Sequence, residues 1–357
     1  MDAQVREVVV QTGTPSVTVR PFGAGDAPAW DAYVDSAPAA TFFHRSAWRD
    51  IIRQVFRHRT HYLVAERRGA LVGVLPLAQT RSLLFGHSLC SLPFAVYGGP
   101  AADDEHVERA LLDAAVALGG ELGVDHLELR NITPRCVAWP TSELYVTFRK
   151  VIEPDVEANM RAIPRKQRAM VRKGMRHGLV SEIDDSVDRF FELYAGNMHR
   201  HGTPPLSRRY FHALRAAFGQ DCEILTVIDR EGRPVSSVLS FYFRDEVLPY
   251  YAGDACVARD LAANDFKYWE LMRRATERGV RVFDYGRSKR HTGSFDFKKN
   301  WGFEPTPLAY EFKLYRGGAV PQHNPSNPKY RALIATWRRM PRRLANALGP
   351  YVVRNLG

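Results

Sequence analysis

Apolar and polar positions along the chain fall into two successive blocks built on one plan. In the first, Ala70 to Ala78 (ALVGVLPLA) reads as an apolar strand and Leu89 to Pro100 (LCSLPFAVYGGP) as a second strand closing on Tyr97-Gly98-Gly99. A helix follows from about Glu105 to Glu121, and Asp125 to Arg130 (DHLELR) is the next strand. In the second block the strands are Pro234 to Phe243 (PVSSVLSFYF) and Val247 to Asp254 (VLPYYAGD), followed by a helix from Asn264 to Arg278 and a closing strand from Arg281 to Tyr285. Each helix carries apolar residues three and four apart on one face, Ala110, Ala114, Ala117 and Leu118 in one and Tyr268, Leu271, Met272 and Ala275 in the other. The order strand, strand, glycine, helix, strand therefore recurs, and recurrence over this length says more about architecture than any single motif.

Helices that cross between neighbouring strands predict a mixed α/β (α+β) sheet flanked by helices, with a cleft where a strand ends on glycine before its crossover helix. A chain of 357 residues is long for one compact domain and suited to two. The first domain reads as residues 1–150, because the repeat gives way to a polar, charged segment near Lys150. The second, holding the working cleft, reads as 151–317, with Gly317-Gly318 at its end and 318–357 as a basic tail. Apolar residues at 45% against 25% charged suffice for two cores and exclude long disorder.

Lysine and arginine total 50 against 39 acidic residues, a formal charge of +11, which favours an anionic substrate or partner over a cationic one. Cys90, Cys136, Cys222 and Cys256 lie far apart, with no CxxC pair and no histidine spacing suited to zinc. They read as reduced packing residues, and no metal is expected. The opening stretch lacks the apolar run of a signal peptide, and no later run approaches the roughly 18 apolar residues of a spanning helix. A cytoplasmic protein is expected.

Phe42-Phe43-His44-Arg45-Ser46-Ala47-Trp48 resembles the F-x-x-x-x-W opening of FemAB proteins. Ile163-Pro164-Arg165-Lys166-Gln167-Arg168 through Gly178 resembles their basic helix between the domains. Phe283-Asp284-Tyr285-Gly286, followed by Phe297-Lys298-Lys299-Asn300-Trp301-Gly302-Phe303, resembles their D-x-G and FKxxFG ending. More narrowly, SLPFAVYGGP, IPRKQRAMVRKG, SFYFRDEVLPYYAGD, NDFKYWELMRRA and GSFDFKKNWGFEP resemble the FemAB-like subgroup associated with exosortase (PEP-CTERM) and exopolysaccharide systems. The resemblance covers nearly the whole chain. It implies two tandem acetyltransferase-like (GNAT) domains that move an acyl or aminoacyl group onto an amine in cell-envelope or exopolysaccharide assembly. In the best-known members the donor is aminoacyl-tRNA. Simple acetyltransferases instead grip the pyrophosphate of coenzyme A on a glycine-rich loop that opens a helix. Here Ala255 to Asn264 (ACVARDLAAN) has no glycine, and Ala101 to Glu105 carries acids that repel phosphate. No tightly bound cofactor is expected, only a donor substrate, aminoacyl-tRNA or acyl-CoA.

On a helix beginning after Pro164, Arg165, Arg168, Arg172 and Arg176 form one stripe opposite Gln167, Met170, Val171 and Gly174. Guanidinium forks suit phosphate oxygens, so this stripe is a candidate for tRNA or a nucleotide-linked acceptor, or else a solvated face. Arg287 to Ser294 reads as a basic, glycine-flanked loop at the sheet edge; Arg287 and Lys289, with Lys299, are anion-binding candidates. By resemblance Lys298 neutralises negative charge near the reacting acyl group. Phe295, Phe297, Trp301 and Phe303 read as core. Asp254 and Asp284, at the C-terminal ends of neighbouring strands, are candidates for orienting or deprotonating the amine, or alternatively turn and cap residues. In GNAT domains a backbone N–H meets the oxyanion, which here points to Tyr251 to Gly253. Tyr250 and Tyr251 alternate, so one faces the cleft and one a covering helix; Tyr251 is taken as a catalytic candidate. His199 and His201 sit on different faces, which excludes a shared metal and leaves His201 as a cleft or helix-end residue.

From Lys329 onward, Tyr330, Leu333, Ile334 and Trp337 form an apolar stripe among Arg331, Arg338, Arg339, Arg342 and Arg343, ended by Pro341. This basic amphipathic helix suits either an anionic membrane surface or docking on its own domains. The function expected is FemAB-like transfer to an anionic or lipid- or nucleotide-linked sugar acceptor. The rivals are a conventional acyl-CoA N-acyltransferase on an amino sugar and a non-catalytic nucleic-acid or membrane-surface binder.

Overall fold

The computed structural model describes residues 8–9, 16–82, 86–136, 138–317, 320 and 328–354. They form two compact units, one reaching Glu143 and resuming at Pro307, the other running from Leu144 to Thr306 and resuming in the C-terminal helices to Arg354.

The first unit builds strands β1 (Val17–Pro21), β2 (Leu63–Arg67), β3 (Ala70–Leu75), β4 (Ala78–Ser82), β5 (Gly86–Cys90) and β6 (Ala101–Ala102). Helix α1 (Glu105–Glu121) and strand β7 (His126–Asn131) follow. The expected Ala70–Ala78 strand stops at Leu75, and the chain resumes beyond Pro76 and Leu77 as β4 in a second sheet. The expected Leu89–Pro100 strand ends at Cys90. Residues 91–100 are instead an irregular, mostly buried loop, in which Leu92 and Phe94 hold φ of 61° and 65°. Helix α1 begins where Asp104 accepts a hydrogen bond from the Val107 N–H at 2.9 Å, and it buries Val107, Leu111, Ala115 and Leu118 against the sheet.

The second unit opens with β8 (Tyr145–Val151), so the boundary expected at Lys150 falls inside a strand of this unit's sheet. Then come helix α2 (Arg165–Arg176), β9 (Val180–Ile183), helices α3 (Asp188–His201) and α4 (Arg208–Phe218), β10 (Cys222–Ile228), β11 (Pro234–Phe243) and β12 (Glu246–Asp254). Helix α5 (Ala263–Glu277), β13 (Val282–Asp284), β14 (Ser288–Lys289) and helix α6 (Gly293–Asn300) complete it. Its main sheet runs β9-β10-β11-β12-β13-β8-β14. Nearly every residue of β10 and β11 is buried, as expected of central strands covered on both faces. On one side α2 presses on α5 so closely that a Cβ on Gly174 would sit 2.8 Å from the Phe266 Cβ.

The duplication is explicit in the pairing. Each unit contains one parallel pair, Ser88–Cys90 of β5 against His126–Glu128 of β7 and Glu246–Val247 of β12 against Val282–Phe283 of β13. The strand that follows each crossover is exchanged. β8 follows β7 in the chain but pairs with β13, whereas β15 (Ala309–Leu314), which follows β13, pairs with β7 in the first unit. Residues 307–317, on the near side of the glycine pair at 317–318, thus belong to the first unit rather than the second. Helices α7 (Pro328–Arg339) and α8 (Arg342–Val353) lie at the C-terminal end of the second unit. No helix among the described residues is long and apolar enough to cross a membrane.

Helix α3 lies across β12, and a Cβ on Gly253 would come within 2.4 Å of the Tyr194 backbone. Gly253→Ala should therefore cost about 1–3 kcal/mol of overpacking strain and lower the melting temperature by several degrees, read by scanning calorimetry.

Candidate active site

The two parallel pairs behave differently beyond their shared start. In the second unit the ladder between β12 and β13 holds only at Glu246–Val247 against Val282–Phe283, after which β12 runs on to Asp254 with no partner on that side. Beyond that pair the chain after β13 keeps to β8, with the Tyr285 N–H on the Phe148 carbonyl at 2.8 Å, so the two strands part and the gap between them is the candidate crevice. In the first unit the corresponding seam stays stitched by the 91–100 loop. Ser91 N–H reaches the Glu128 carbonyl at 2.8 Å, and the Gly98 and Gly99 amides both reach the Arg130 carbonyl, at 3.0 and 3.2 Å. The Arg130 side chain donates to the Ala95 carbonyl at 2.9 Å and the Tyr310 hydroxyl to the Val96 carbonyl at 2.6 Å. A β-carbon on Gly99 would lie 1.7 Å from Asn131 Oδ1, so only glycine closes this loop. The first copy of the crevice is filled by its own chain.

At the narrow end of the open crevice, Asp284 is fully buried. Its carboxylate accepts from the Gly286 N–H at 2.7 Å and from Arg149 Nη1 at 3.2 Å; Arg149 also pairs with Glu246. Lys298 lies beneath the following turn and donates to the carbonyls of Tyr285, Gly286 and Arg287 at 2.7, 3.1 and 3.2 Å. Burial pushes its ammonium down to about 7, and nearby Arg287 adds to the lowering while Asp284 opposes it. Acid and lysine together fix the backbone of residues 284–287. Beside them the Tyr285 hydroxyl is buried with no hydrogen-bond partner among the described residues, next to Phe283, Tyr268 and Phe303.

At the wide end, Asp254 accepts from Lys267 Nζ at 3.0 Å and from the Ser236 hydroxyl. Lys267 is wholly buried on α5. The ladder puts Leu248 level with Asp284, so Asp254 lies six residues farther along β12, roughly 20 Å at about 3.3 Å per residue. Two aspartates that far apart do not serve one amine nitrogen. A cavity of about 520 Å³ adjoins Asp254, lined also by Arg189, Gly196, Arg200, Cys256 and Arg342.

Tyr251 and Tyr250 do not alternate as expected, because the register of β12 against β11 shifts by one between Leu239/Tyr251 and Ser240/Pro249, leaving Tyr250 as a bulge. Their rings meet edge to face at 4.8 Å, and the Tyr251 hydroxyl pairs with that of Tyr210 at 3.0 Å. Burial against Tyr194, Tyr210 and Phe211 of the covering helices α3 and α4 raises the Tyr251 phenol far above its ordinary range. Past the bulge, Ala255 N–H bonds the Val235 carbonyl at 2.8 Å. By period-two alternation the N–H groups of Ala252 and Asp254 therefore point into the opened side.

Helix α2 begins at Arg165 as expected and buries Gln167, Val171 and Gly174. Arg165 and Arg172 are exposed, while Arg168 donates to the Arg161 carbonyl at 2.8 Å. The segment expected as a loop over 287–294 is shorter: Ser288–Lys289 pairs with β8, and α6 starts at Gly293 on a Thr292 cap. Arg287 stacks over Tyr145 at 4.6 Å and Lys289 lies 5.8 Å from the same ring. Burial, then Arg287, lowers the Lys289 ammonium. Lys299 is exposed on α6. Phe295 and Phe297 are half-buried, whereas Trp301 and Phe303 are core. His201 is exposed at the end of α3 and His199 holds the Met340 carbonyl, so neither enters the crevice. Cys256 is exposed, which departs from the expected packing role; Cys90 and Cys222 are buried.

Ser236 and Arg149 have no motif that marks them in the sequence, and Lys267 and Tyr285 lie within NDFKYWELMRRA and Phe283-Asp284-Tyr285-Gly286 without being singled out there. Lys267 leaves one signal: it stands four residues from both Ala263 and Leu271 on the apolar face of α5, where an unpaired cation is costly. The start of α5 does not fit a pyrophosphate grip. Ala262, at φ 57°, stands where such loops use glycine, and the Asp265 carboxylate occupies the first turn, held by Trp301 Nε1 at 2.9 Å.

Residues 158–299, within the second unit, match the family model described as acetyltransferase (GNAT) domain. The chain is 27% identical over 103 residues to UDP-N-acetylmuramoylpentapeptide-lysine N(6)-alanyltransferase of Weissella viridescens, a match covering 28% of this chain and 31% of that protein. The aligned part thus spans about a third of that relative's length. The fold resembles the crystal structure of FemX, at TM-score 0.63 and 15% identity over 82% of this chain and 97% of that one. It also resembles a tandem GNAT protein from the clavulanic acid biosynthesis pathway, at TM-score 0.52 and 12% identity over 85% and 100%. The fold is two GNAT-like domains in tandem.

Because the Lys298 ammonium is near 7 when folded against an ordinary 10.5, the unfolded chain binds the extra proton between those values. This group therefore adds stability as pH rises through that window and loses it as pH falls toward 7. Lys298→Met should flatten that slope in urea midpoints measured from pH 7 to 9. It should also cost about 2–4 kcal/mol at pH 7, from the carbonyls of residues 285–287 left unmet.

Proposed function

We propose that the second unit transfers an aminoacyl group from aminoacyl-tRNA to a primary amine of a lipid- or nucleotide-linked sugar precursor. The observation that supports this reading is the parting of β12 from β13 after Val247 and Phe283 in the second copy, where the corresponding seam of the first copy is stitched by its own loop. The amine nitrogen attacks the ester carbonyl carbon, the carbon–oxygen bond to the ribose breaks, and the proton lost by nitrogen ends on the departing oxygen. The inward N–H of Ala252 receives the developing oxyanion. Lys298, with Arg287, brings positive potential to the turn that Asp284 holds, while Tyr251 supports β12 from the side of α3 and α4 and Asp254, fixed by Lys267, shapes the mouth of the crevice. Arg165, Arg168 and Arg172, together with Lys289 and Lys299, contact phosphates.

The donor reading is favoured over acyl-CoA by the start of α5, whose alanine and aspartate oppose a pyrophosphate. The acceptor class follows the Weissella viridescens relative, which is named for alanyl transfer to a lysine of a UDP-linked muramoylpentapeptide. The narrower placement, in an exosortase-associated exopolysaccharide system and in the cytoplasm, rests on sequence stretches such as SLPFAVYGGP and GSFDFKKNWGFEP.

Incubation with labelled aminoacyl-tRNAs and amino-sugar precursors should yield labelled amide product; transfer from acyl-CoA alone, with micromolar binding, would sink the donor assignment. Ala252→Pro removes an N–H that bonds no neighbouring strand and should lower kcat about a hundredfold with the fold retained by circular dichroism. Replacing Arg165 and Arg172 by alanine should weaken tRNA binding and make the slope of log K against log salt shallower by roughly one for each phosphate no longer neutralised. If all activity survives the crevice variants and only the arginine variants abolish it, the protein is a binder and not a transferase.

A further inference from the structure

The apolar stripe expected to meet a membrane turns inward where its side chains are described, and a different stripe faces out. Trp337 of α7 is buried, and a Cβ on Gly202 would lie 2.7 Å from Ile334. Tyr330 and Leu333 lie outside the residues whose side chains are described. On α8, Ala345 and Gly349 face the body of the second unit, where a Cβ on Gly349 would come 2.6 Å from Pro205. The opposite face of α8 carries Leu344, Leu348 and Tyr351, exposed by 48%, 42% and 68%. These positions, with exposed Ala347 between them, follow the three-and-four spacing of one helical stripe.

The surroundings of that stripe are cationic. From Lys329 to Arg354 the chain has Lys329, Arg331, Arg338, Arg339, Arg342, Arg343 and Arg354 and not one acidic residue. Two of these cations are used internally: Arg342 pairs with Glu192, and Arg338 reaches the His201 carbonyl. Arg343, next to Leu344 on α8, and Arg339, the last residue of α7, are exposed.

We propose that α8 docks the protein on an anionic bilayer surface, with Leu344, Leu348 and Tyr351 entering the headgroup boundary and Arg339 and Arg343 against lipid phosphates. A helix with a narrow apolar face and cationic flanks lies in the plane of such an interface, and a tyrosine suits it because its ring is apolar and its hydroxyl stays wet. A second copy of the chain is a poor occupant, since a two-fold contact on this stripe would set arginine against arginine. The docking face does not depend on the transfer chemistry, because its residues lie outside the crevice.

The test is co-sedimentation of the full chain with vesicles of phosphatidylcholine alone or mixed with phosphatidylglycerol. Binding should be at least roughly tenfold tighter to the mixed vesicles and should fall as salt rises. Leu344→Asp with Leu348→Asp should reduce binding by a similar factor at an unchanged melting temperature, whereas Leu348→Met keeps it. Tyr351→Trp should give a tryptophan emission that shifts to the blue on the mixed vesicles. Undiminished binding by the double aspartate variant would overturn the proposal. So would equal binding to both vesicle types, or a dimer that this variant dissolves in a protein that binds neither.

Discussion

The working half of this molecule depends on two adjacent parallel strands being held together at one end and apart at the other. A buried carboxylate and a buried ammonium divide that task. Asp284 pins the last residue of β13 to β8 through Arg149 and turns the chain by holding the Gly286 amide. Lys298 then gathers three successive carbonyls from below. Without them the exit of β13 has no fixed course, and the edge opposite Ala252 has no defined position. Both charged groups are costly to bury, and each meets the cost with hydrogen bonds to the backbone whose shape it sets.

Much of this is legible in the sequence, for identifiable reasons. The duplicated order of strands and helices shows because core-facing positions keep their period, and α2 starts after Pro164 where ring and charge pattern coincide. Asp284 and Lys298 stand out through motif and resemblance, but their partners do not. Arg149 stands 135 residues before Asp284, a pairing that only the sheet register creates. Asp254 and Asp284 read as interchangeable candidates because both end neighbouring strands, yet parallel strands of unequal length end at different heights. The Tyr250 bulge, one extra residue, is enough to undo an inference from alternation.

Comparison of the two copies shows how a duplicated fold specialises. In the second, β12 continues as a strand, bulged at Tyr250, past the last residue of β13 that it pairs with. In the first, the same stretch departs from strand geometry after Cys90, accepts two non-glycine residues at positive φ, and spends its amides on β7. Of the glycines that looked like the lip of a cleft, Gly98 is there because a β-carbon would meet the Ser91 carbonyl and Gly99 because it would meet Asn131.

The exchange of β8 and β15 bears on how the chain acquires its structure during synthesis. A first unit that ended with its own strand would be complete while the ribosome was still making the second. Here Asn131 of β7 bonds Glu311 of β15 across 180 residues, so the opening half must wait, with one sheet edge exposed, until nearly the whole polypeptide has emerged. The first unit is thus closed late and over long range, whereas the sheet of the second is built from the continuous stretch 144–306.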